Sequence, residues 1–270
     1  MKKKVSIFLV LIFSVSALAL GCGGGNEALT DWDYIADKGE LIIGITLYEP
    51  MNYNDENGQL TGFDTEFAEA ACALLGVEPK FQVIDWEQKE TELSSKTIDA
   101  IWNGLTVTEL RRENMAFSTS YIKNKQVVVI KKDNAEKYAA LENMAGASVT
   151  AENGSAGQSA VEANEVLSAN DFIASAAQKD VLMEIKAGTT EIGVLDYVMA
   201  RSVIRDDTDY SDLMIHEGIE LAPEEYAIGF RVGDNETVAK FNQAIEDLIA
   251  DGTLPALAEK YGLSDVLALD

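Results

Sequence analysis

Basic residues are scarce in this sequence. Its 270 residues include 21 lysines and arginines against 46 aspartates and glutamates, which gives a formal net charge of −25. A protein that binds nucleic acid needs a basic surface to neutralise phosphates. We therefore expect no nucleic-acid partner, and the acidity favours a soluble domain outside the cell without indicating its fold.

Histidine and cysteine are nearly absent as well. The single histidine, His216, excludes most histidine-based metal sites, and any Ser-His-Asp triad would depend on it alone. The two cysteines are Cys22 and Cys72. If Cys22 is modified, Cys72 has no partner for an intramolecular disulfide and is interpreted as a small core residue on a helix. We expect no metal, no cofactor and no catalytic residue.

The N-terminus has the layout of a secretory signal. Lysines at positions 2–4 precede an apolar run from Val5 to Leu20, which is slightly short for a membrane-spanning helix. The run ends in ALGC, which resembles the lipobox of bacterial lipoproteins, although an alanine stands where that box usually has leucine. We interpret residues 1–21 as a signal peptide, Cys22 as lipidated and residues 22–39 as a glycine-containing tether. An ordinary secretory signal with a chance cysteine is the alternative.

Short apolar runs alternate with amphipathic helical stretches along the rest of the chain. The predicted strands are 40–46, 80–85, 98–102, 125–132, 147–152, 191–196 and 226–232. The predicted helices are 64–75 (with Asp64 as its N-cap), 158–167, 176–187, one stopped by Gly252 and one running to Tyr261. This alternation predicts an α/β fold with parallel sheets, in which ligands bind beyond the carboxyl ends of strands.

The stretch IDAIWNGLTVTELRREN places two arginines just past a predicted strand. Asn103 and Gly104 lie at the carboxyl end of that strand, and Thr108 is placed to cap the following helix. Arg111 in its first turn opposes the helix dipole unless an anion is bound there. Together with the Thr106 hydroxyl, it could form a carboxylate site. The alternative is that Thr108 is only a cap and Arg111 pairs with a surface acid.

Two further strand ends carry polar residues. Asp196 follows EIGVL and begins a helical run, so it could cap that helix, face a ligand cation, or do both. In AENGSAGQSA, Ser155 and Gln158 fit a capping box, while the lysine of a phosphate-binding loop is missing. Tyr48 and Trp86 also follow strands, and aromatic faces there can hold an aliphatic chain or a cation or serve only in packing.

These features together resemble the polar amino-acid-binding proteins of ABC transporters, solute-binding family 3. The resemblance covers about Gly39 to Gly262 and is carried by NDENGQLTGFDTEFAEAACALLGV, by IDAIWNGLTVTELRREN continuing to AFSTSY, and by IADGTLPALAEKYG. It implies a two-lobed periplasmic-binding-protein (Venus-flytrap) fold of type II. Residues 40–127 plus 228–270 would form the first lobe and 128–227 the second, with crossings near 125–131 and 225–231.

The resemblance also implies a function and roles for individual residues. The protein would be a monomeric, lipid-anchored extracytoplasmic protein that captures a free amino acid and delivers it to an ABC permease in the membrane. Arg111 would bind the ligand's α-carboxylate, with help from Thr106, the Gly104 backbone and Ser155. Asp196 would bind the α-ammonium group. Tyr48 and Trp86 would sandwich the side chain.

Three positions depart from the family pattern and bear on the ligand. Thr46 stands where many members that bind basic ligands have an acid, and Asn103 stands where such members often have serine. Glu152 replaces a glutamine or an apolar residue and could pair with a cationic side chain or lie solvated at the cleft rim. We therefore expect a polar or cationic amino acid. The alternatives are a dehydratase-like enzyme on the same fold and an amino-acid-sensing lipoprotein without a transport role.

Overall fold

The structure, a computed structural model, describes residues 30–268. The predicted signal peptide and the predicted lipidation site Cys22 lie outside the described residues. The α-helices are α1 (Asp31–Lys38), α2 (Phe63–Leu75), α3 (Lys89–Ser94), α4 (Glu109–Asn114), α5 (Ala156–Ala163), α6 (Gln178–Ala187), α7 (Tyr197–Val203), α8 (Asn235–Ala250) and α9 (Thr253–Lys260). The strands are β1 (Glu40–Ile45), β2 (Tyr53–Asn54), β3 (Leu60–Thr61), β4 (Glu78–Val83), β5 (Ala100–Ile101), β6 (Met115–Phe117), β7 (Ile122–Lys131), β8 (Ser148–Glu152), β9 (Asp171–Ser175), β10 (Ile192–Asp196), β11 (Leu213–Tyr226) and β12 (Gly229–Arg231).

The first sheet has the strand order β4-β1-β5-β12-β6. Strand β1 is parallel to both β4 and β5, whereas β12 is antiparallel to β5 and β6. Helices α2 and α8 pack together beside this sheet, and the ring of Trp102 meets those of Phe67 and Phe241 edge-on at centroid distances of 4.9 and 5.8 Å. Because β1 is buried between two parallel neighbours, it contains the apolar run from which the sequence predicted a strand.

The second sheet has the order β11-β7-β10-β8-β9. Strands β10, β8 and β9 are parallel, and β7 runs antiparallel to β10 and β11. The four residues 127–130 of β7 are all buried, as expected for a strand between two others. The two sheets form the cores of two lobes, and the predicted two-lobed α/β architecture is confirmed.

Two strands carry the chain between the lobes. It leaves the first sheet after β6 and enters the second through β7, then returns through β11 into β12. Strands β7 and β11 pair antiparallel from Lys131 and Leu213 back to Ile122 and Tyr226, with irregular register between Ile215 and Ala222. Because this ladder extends back to Ile122, the predicted boundary after residue 127 falls inside β7. The exact division into lobes stays a prediction.

The predicted strand 226–232 is in fact the last residue of β11 followed by the separate strand β12. Two features of the first lobe also differ from the sequence prediction. Residues 31–38, placed in the tether, form α1, which begins with a capping box at Thr30 and packs against α8 and β1. Asp64 does not cap α2, which starts at Phe63 after Gly62. The Asp64 carboxyl is instead fully buried and accepts hydrogen bonds from the Gly104 N–H (2.7 Å) and the Tyr121 hydroxyl (3.0 Å). Burial raises its pKa to about 7.

Cys72 is buried in the core on α2, as predicted, and burial raises the pKa of its thiol to about 12. In the part of the chain that the structure describes, every helix is too short or too polar to cross a membrane.

Candidate functional site

The predicted site residues line one cavity between the lobes. It is lined by all nine residues singled out in the sequence: Tyr48, Trp86, Asn103, Gly104, Thr106, Arg111, Glu152, Ser155 and Asp196. The first six belong to the first lobe and the last three to the second. Thr46, Ala156 and Gln178 complete the lining.

Arg111 brings a buried positive charge to this cavity. Thr108 caps α4 by accepting from the Arg111 N–H at 3.1 Å, as predicted. The guanidinium is 7% exposed and donates through Nη1 to the Thr106 carbonyl oxygen (2.8 Å) and through Nη2 to the Gly154 carbonyl oxygen (3.3 Å). Among residues 30–268 no carboxylate lies within 4.0 Å of it. The predicted alternative, a surface ion pair, is therefore wrong, and three of the five N–H donors remain free for an anion.

Asp196 brings a buried negative charge from the opposite lobe. Its Oδ1 accepts from Asn124 Nδ2 (2.6 Å) and Gln126 Nε2 (2.8 Å), and its Oδ2 accepts from Gln178 Nε2. The carboxylate does not cap α7, although Asp196 occupies the N-cap position. Asn124 supplies that function, because its Oδ1 accepts from the Val198 N–H at 3.1 Å. The amide donors orient the Asp196 carboxylate without neutralising it.

Glu152 is a second acid in the cavity. It ends β8 and is only 3% exposed, so it does not lie solvated at the rim. Its Oε1 accepts no hydrogen bond from the described residues. Burial, and then the nearby charge of Asp196, raise the pKa of Glu152 to about 8. A buried acid with an unpaired oxygen is a candidate partner for a cation.

Asn103 faces the cavity, but its amide is already fully used. Oδ1 accepts from the Thr46 N–H (3.0 Å) and the Thr46 hydroxyl (2.7 Å). Nδ2 donates to the Thr46 carbonyl oxygen (2.9 Å) and to Asn52 Oδ1 (2.7 Å). Asn103 therefore fixes the loop after β1 and leaves no donor for a ligand.

Both aromatic residues, Tyr48 and Trp86, line the cavity. Gly104 adopts a φ of +56°, and a Cβ there would lie 2.5 Å from Tyr48 Cε1. The Tyr48 ring thus packs directly on the glycine backbone, and its hydroxyl is 2.7 Å from that of Tyr226. Trp86 is 6% exposed, with the Lys89 ammonium 4.9 Å from its ring centroid. The Tyr48 ring is fixed by packing.

Two hydroxyls complete the Arg111 side of the cavity. Ser155 caps α5 by accepting from the Gln158 N–H at 3.1 Å, while Gln158 Oε1 accepts from the Gly154 N–H at 2.8 Å. The Ser155 N–H donates to the Glu152 carbonyl oxygen at 3.2 Å, so in this state the Ser155 hydroxyl proton is its available donor. Thr106 is buried, and its hydroxyl makes no hydrogen bond to any residue that the structure describes.

Several residues of the site were missed from the sequence. Gln178, Asn124 and Gln126 hold Asp196, and Lys89 donates to the carbonyl oxygens of Trp86 (3.1 Å) and Gly154 (2.9 Å). Burial, and then the charge of Arg111, lower the pKa of Lys89 to about 8. None of these four has a local sequence signal, since each reaches the site through tertiary packing. Within residues 30–268 no group of histidines, cysteines or acids has the arrangement of a metal site.

The chain is similar in sequence to several known proteins. Residues 41–264 match the model of the family described as bacterial extracellular solute-binding proteins, family 3. The chain is 25% identical to the L-cystine-binding protein TcyJ of Escherichia coli K12, over 94% of this chain and 96% of the relative. It is 27% identical to the arginine-binding extracellular protein ArtP of Bacillus subtilis, over 94% and 96%.

A solved structure is similar over nearly the same span. It is an ABC uptake transporter substrate-binding protein from Streptococcus pneumoniae with bound histidine. The TM-score is 0.81 at 30% identity, and the likeness covers 88% of this chain and 98% of that one.

Proposed function

The chain belongs to the bacterial extracellular solute-binding proteins of family 3, and we propose that it captures a free amino acid outside the cytoplasm and delivers it to an ABC importer. One observation carries this proposal. A buried guanidinium, Arg111, and a buried carboxylate, Asp196, face one cavity from opposite lobes, and neither has an ion-pair partner within the described residues. A zwitterionic amino acid supplies both missing charges.

The α-carboxylate of the ligand binds the Arg111 guanidinium. A planar guanidinium can form two parallel hydrogen bonds with a carboxylate, and such charge-assisted bonds are stronger than neutral ones. The Thr106 and Ser155 hydroxyls and the Gly104 backbone add contacts to the same group. The α-ammonium binds Asp196, whose Oδ2 accepts a hydrogen bond from Gln178 alone among the described residues.

The side chain of the ligand lies between Tyr48 and Trp86 and reaches towards Glu152. The aromatic faces suit an aliphatic stem or a cation. Glu152 has an unpaired buried oxygen, which favours a ligand with a positive or hydrogen-bond-donating side chain. The ArtP relative, named for arginine, agrees with this class. We therefore propose a polar or cationic amino acid.

Closure of the two lobes follows from the same charges. Arg111 belongs to the first lobe and Asp196 to the second, so a zwitterion bridges them only when the cleft is closed. A ligand that binds one conformation better than another shifts the population towards it. The permease would then recognise the closed form.

The protein acts as a monomer attached to the membrane surface through a lipid on Cys22. The support is the sequence of residues 1–25, in which a signal-like segment is followed by a cysteine and three glycines. Incorporation of a labelled fatty acid into the wild-type protein, and its absence in Cys22→Ser, tests this attachment.

A dehydratase-like enzyme is the weaker alternative, because a bound zwitterion pairs with both opposed charges of the cavity, those of Arg111 and Asp196. An amino-acid sensor would use the same cleft. Uptake assays distinguish it from a transport protein, since only loss of a transport protein abolishes import of the ligand by the cell.

A thermal-shift screen against the common amino acids and L-cystine tests the proposed function. A ligand that binds only the folded protein raises the unfolding midpoint by mass action. We expect a clear rise with one or a few amino acids. Unchanged midpoints with all of them, in refolded and ligand-stripped protein, would contradict the proposal.

A further inference from the structure

Glu224 shares its hydrogen-bond donors with Asp196. Glu224 lies on β11, opposite Asn124 of β7 in the strand register. Its Oε1 accepts from Asn124 Nδ2 and, at 2.9 Å, from Gln126 Nε2. The same two nitrogens donate to Asp196 Oδ1 at 2.6 and 2.8 Å. Two carboxyl groups on different strands are therefore held together by one pair of neutral amides.

The Asn124 amide cannot turn to relieve this arrangement. Asn124 Oδ1 accepts from the Val198 N–H at 3.1 Å, which fixes Nδ2 towards the two carboxyl groups. Asn124 and Gln126 lie on β7 and Glu224 on β11, the two strands that cross between the lobes. The pair is thus part of the connection on which lobe closure depends.

The charges around the pair do not balance two negative charges. Within the described residues no lysine or arginine lies within 4.0 Å of either carboxyl group. Arg111 acts on both carboxyl groups from α4 at longer range. The Tyr48 hydroxyl faces the pair from the first lobe and the Tyr226 hydroxyl from the end of β11, while Glu152 adds a third acid from β8. Two neighbouring buried carboxylates cannot both ionise without a cation between them.

We propose that Asp196 and Glu224 hold one proton between them in the ligand-free protein and release it to solvent when the ligand's ammonium group binds Asp196. This inference rests on the proposed function, because it needs a zwitterionic ligand. The ammonium supplies the positive charge that the proton supplied before. Glu224 does not line the cavity, so it is a positioning residue that acts through Asn124, Gln126 and Asp196.

The direction of the pH dependence follows. Burial, and then the charge of Asp196, hold the pKa of Glu224 well above its ordinary value in the ligand-free state. The bound ammonium lowers that pKa, so the complex carries fewer protons than the free protein at neutral pH. Affinity therefore rises with pH from 6 to 8, by at most about tenfold per unit for one released proton.

Isothermal titration calorimetry with L-arginine tests the proposal. Titrations at pH 7 in two buffers of different ionisation enthalpy give the number of protons released on binding. If L-arginine does not bind, the amino acid with the largest thermal shift takes its place. The variants are Glu224→Gln, which keeps the shape and hydrogen-bonding capacity of a protonated glutamate, and Glu217→Gln, a matched control at an exposed position of the same strand.

We expect the wild-type protein and Glu217→Gln to release about one proton more than Glu224→Gln. Any contribution of Glu152 to proton release is removed by using Glu152→Gln as the background. The single variant Glu152→Gln should release about one proton more than the double variant Glu152→Gln/Glu224→Gln. Equal proton release with and without Glu224 would overturn the proposal. A wild-type affinity that does not change between pH 6 and 8 would also overturn the proposal, and that measurement does not require any variant to fold. Failure of the wild type to bind any amino acid would instead refute the proposed function on which this inference rests.

Discussion

Arg111 and Gly154 belong to different lobes, and the Arg111 guanidinium donates to the Gly154 carbonyl oxygen at 3.3 Å. Lys89, also of the first lobe, donates to the same oxygen at 2.9 Å. Gly154 has a φ of +68°, and a Cβ there would lie 3.2 Å from the Cα of Glu87 in the first lobe. The two lobes are thus held together partly by one backbone carbonyl, at a position where an added side chain would press on the backbone of the opposite lobe.

Gly154→Ala should weaken ligand binding by hindering closure. The left-handed conformation alone costs a non-glycine residue about 1–2 kcal/mol. Gly146→Ala is the matched control, because Gly146 has a φ of +82° and no atom near its Cβ position. Both variants should lower the unfolding midpoint similarly, whereas calorimetry should detect a loss of affinity only in Gly154→Ala. Equal affinities in the two variants would show that the contact with Glu87 does not limit closure.

Asp196→Asn should weaken binding by about 2–5 kcal/mol, the usual result of removing one partner of a buried charge pair. The midpoint of the ligand-free variant should fall only slightly, by the loss of one amide hydrogen bond, because the Asp196 carboxylate does not cap α7. Asp171→Asn, at an exposed position in the same lobe, is the control. A lower midpoint with unchanged affinity would mean that Asp196 has only a structural role.

Glu152→Gln should reduce discrimination between charged and neutral side chains. The wild-type protein should prefer L-arginine to L-citrulline, a neutral analogue of similar shape. Hydrogen bonds to charged groups contribute about 1.5–3 kcal/mol, so the preference should fall about 10- to 100-fold in the variant. Glu165→Gln, exposed in the same lobe, should keep the wild-type ratio of dissociation constants. An unchanged ratio in Glu152→Gln would place the side chain of the ligand elsewhere.

The ligand-free protein should become less stable as pH rises from 5 to 8. Burial raises the pKa of Asp64 from 3.8 to about 7 and that of Glu152 from 4.5 to about 8. Between those values the folded state binds more protons than the unfolded state, so the free energy of unfolding falls with pH by up to about 1.4 kcal/mol per unit for each proton. Scanning calorimetry at four pH values should show this fall, and Asp64→Asn or Glu152→Gln should reduce its slope. A midpoint that rises over this range would contradict the assignment.

Much of the site could be predicted because its residues lie at strand ends within recognisable motifs. Arg111, Asp196, Ser155 and Tyr48 all follow buried strands, and the carboxyl ends of those strands meet at the cleft. Asn103 shows the limit of that reasoning. It lines the cavity as expected, but only the fold reveals that Thr46 and Asn52 already saturate its amide.

Strand β11 could not be predicted, and with it Glu224 was missed. The polar segment HEGIELAPEEY contains a glycine and a proline, which are unfavourable in a central strand. They are tolerated because β11 is the edge of its sheet and its register is irregular. Pairing with β7, about 100 residues earlier in the chain, brings Glu224 to Asn124. No local pattern encodes that contact.

Calorimetric titration of Arg111→Ala with the amino acid that binds the wild-type protein tests the central claim most directly. Arg112→Ala is the matched control, since Arg112 is the exposed neighbour and its nearest carboxylate is Glu109, 3.7 Å away. We predict that Arg111→Ala folds, with an unchanged or higher midpoint because a buried charge is removed, and loses at least about 2 kcal/mol of binding free energy. Arg112→Ala should bind like the wild type. Wild-type affinity in a folded Arg111→Ala variant would contradict the assignment of this arginine to the ligand's carboxylate.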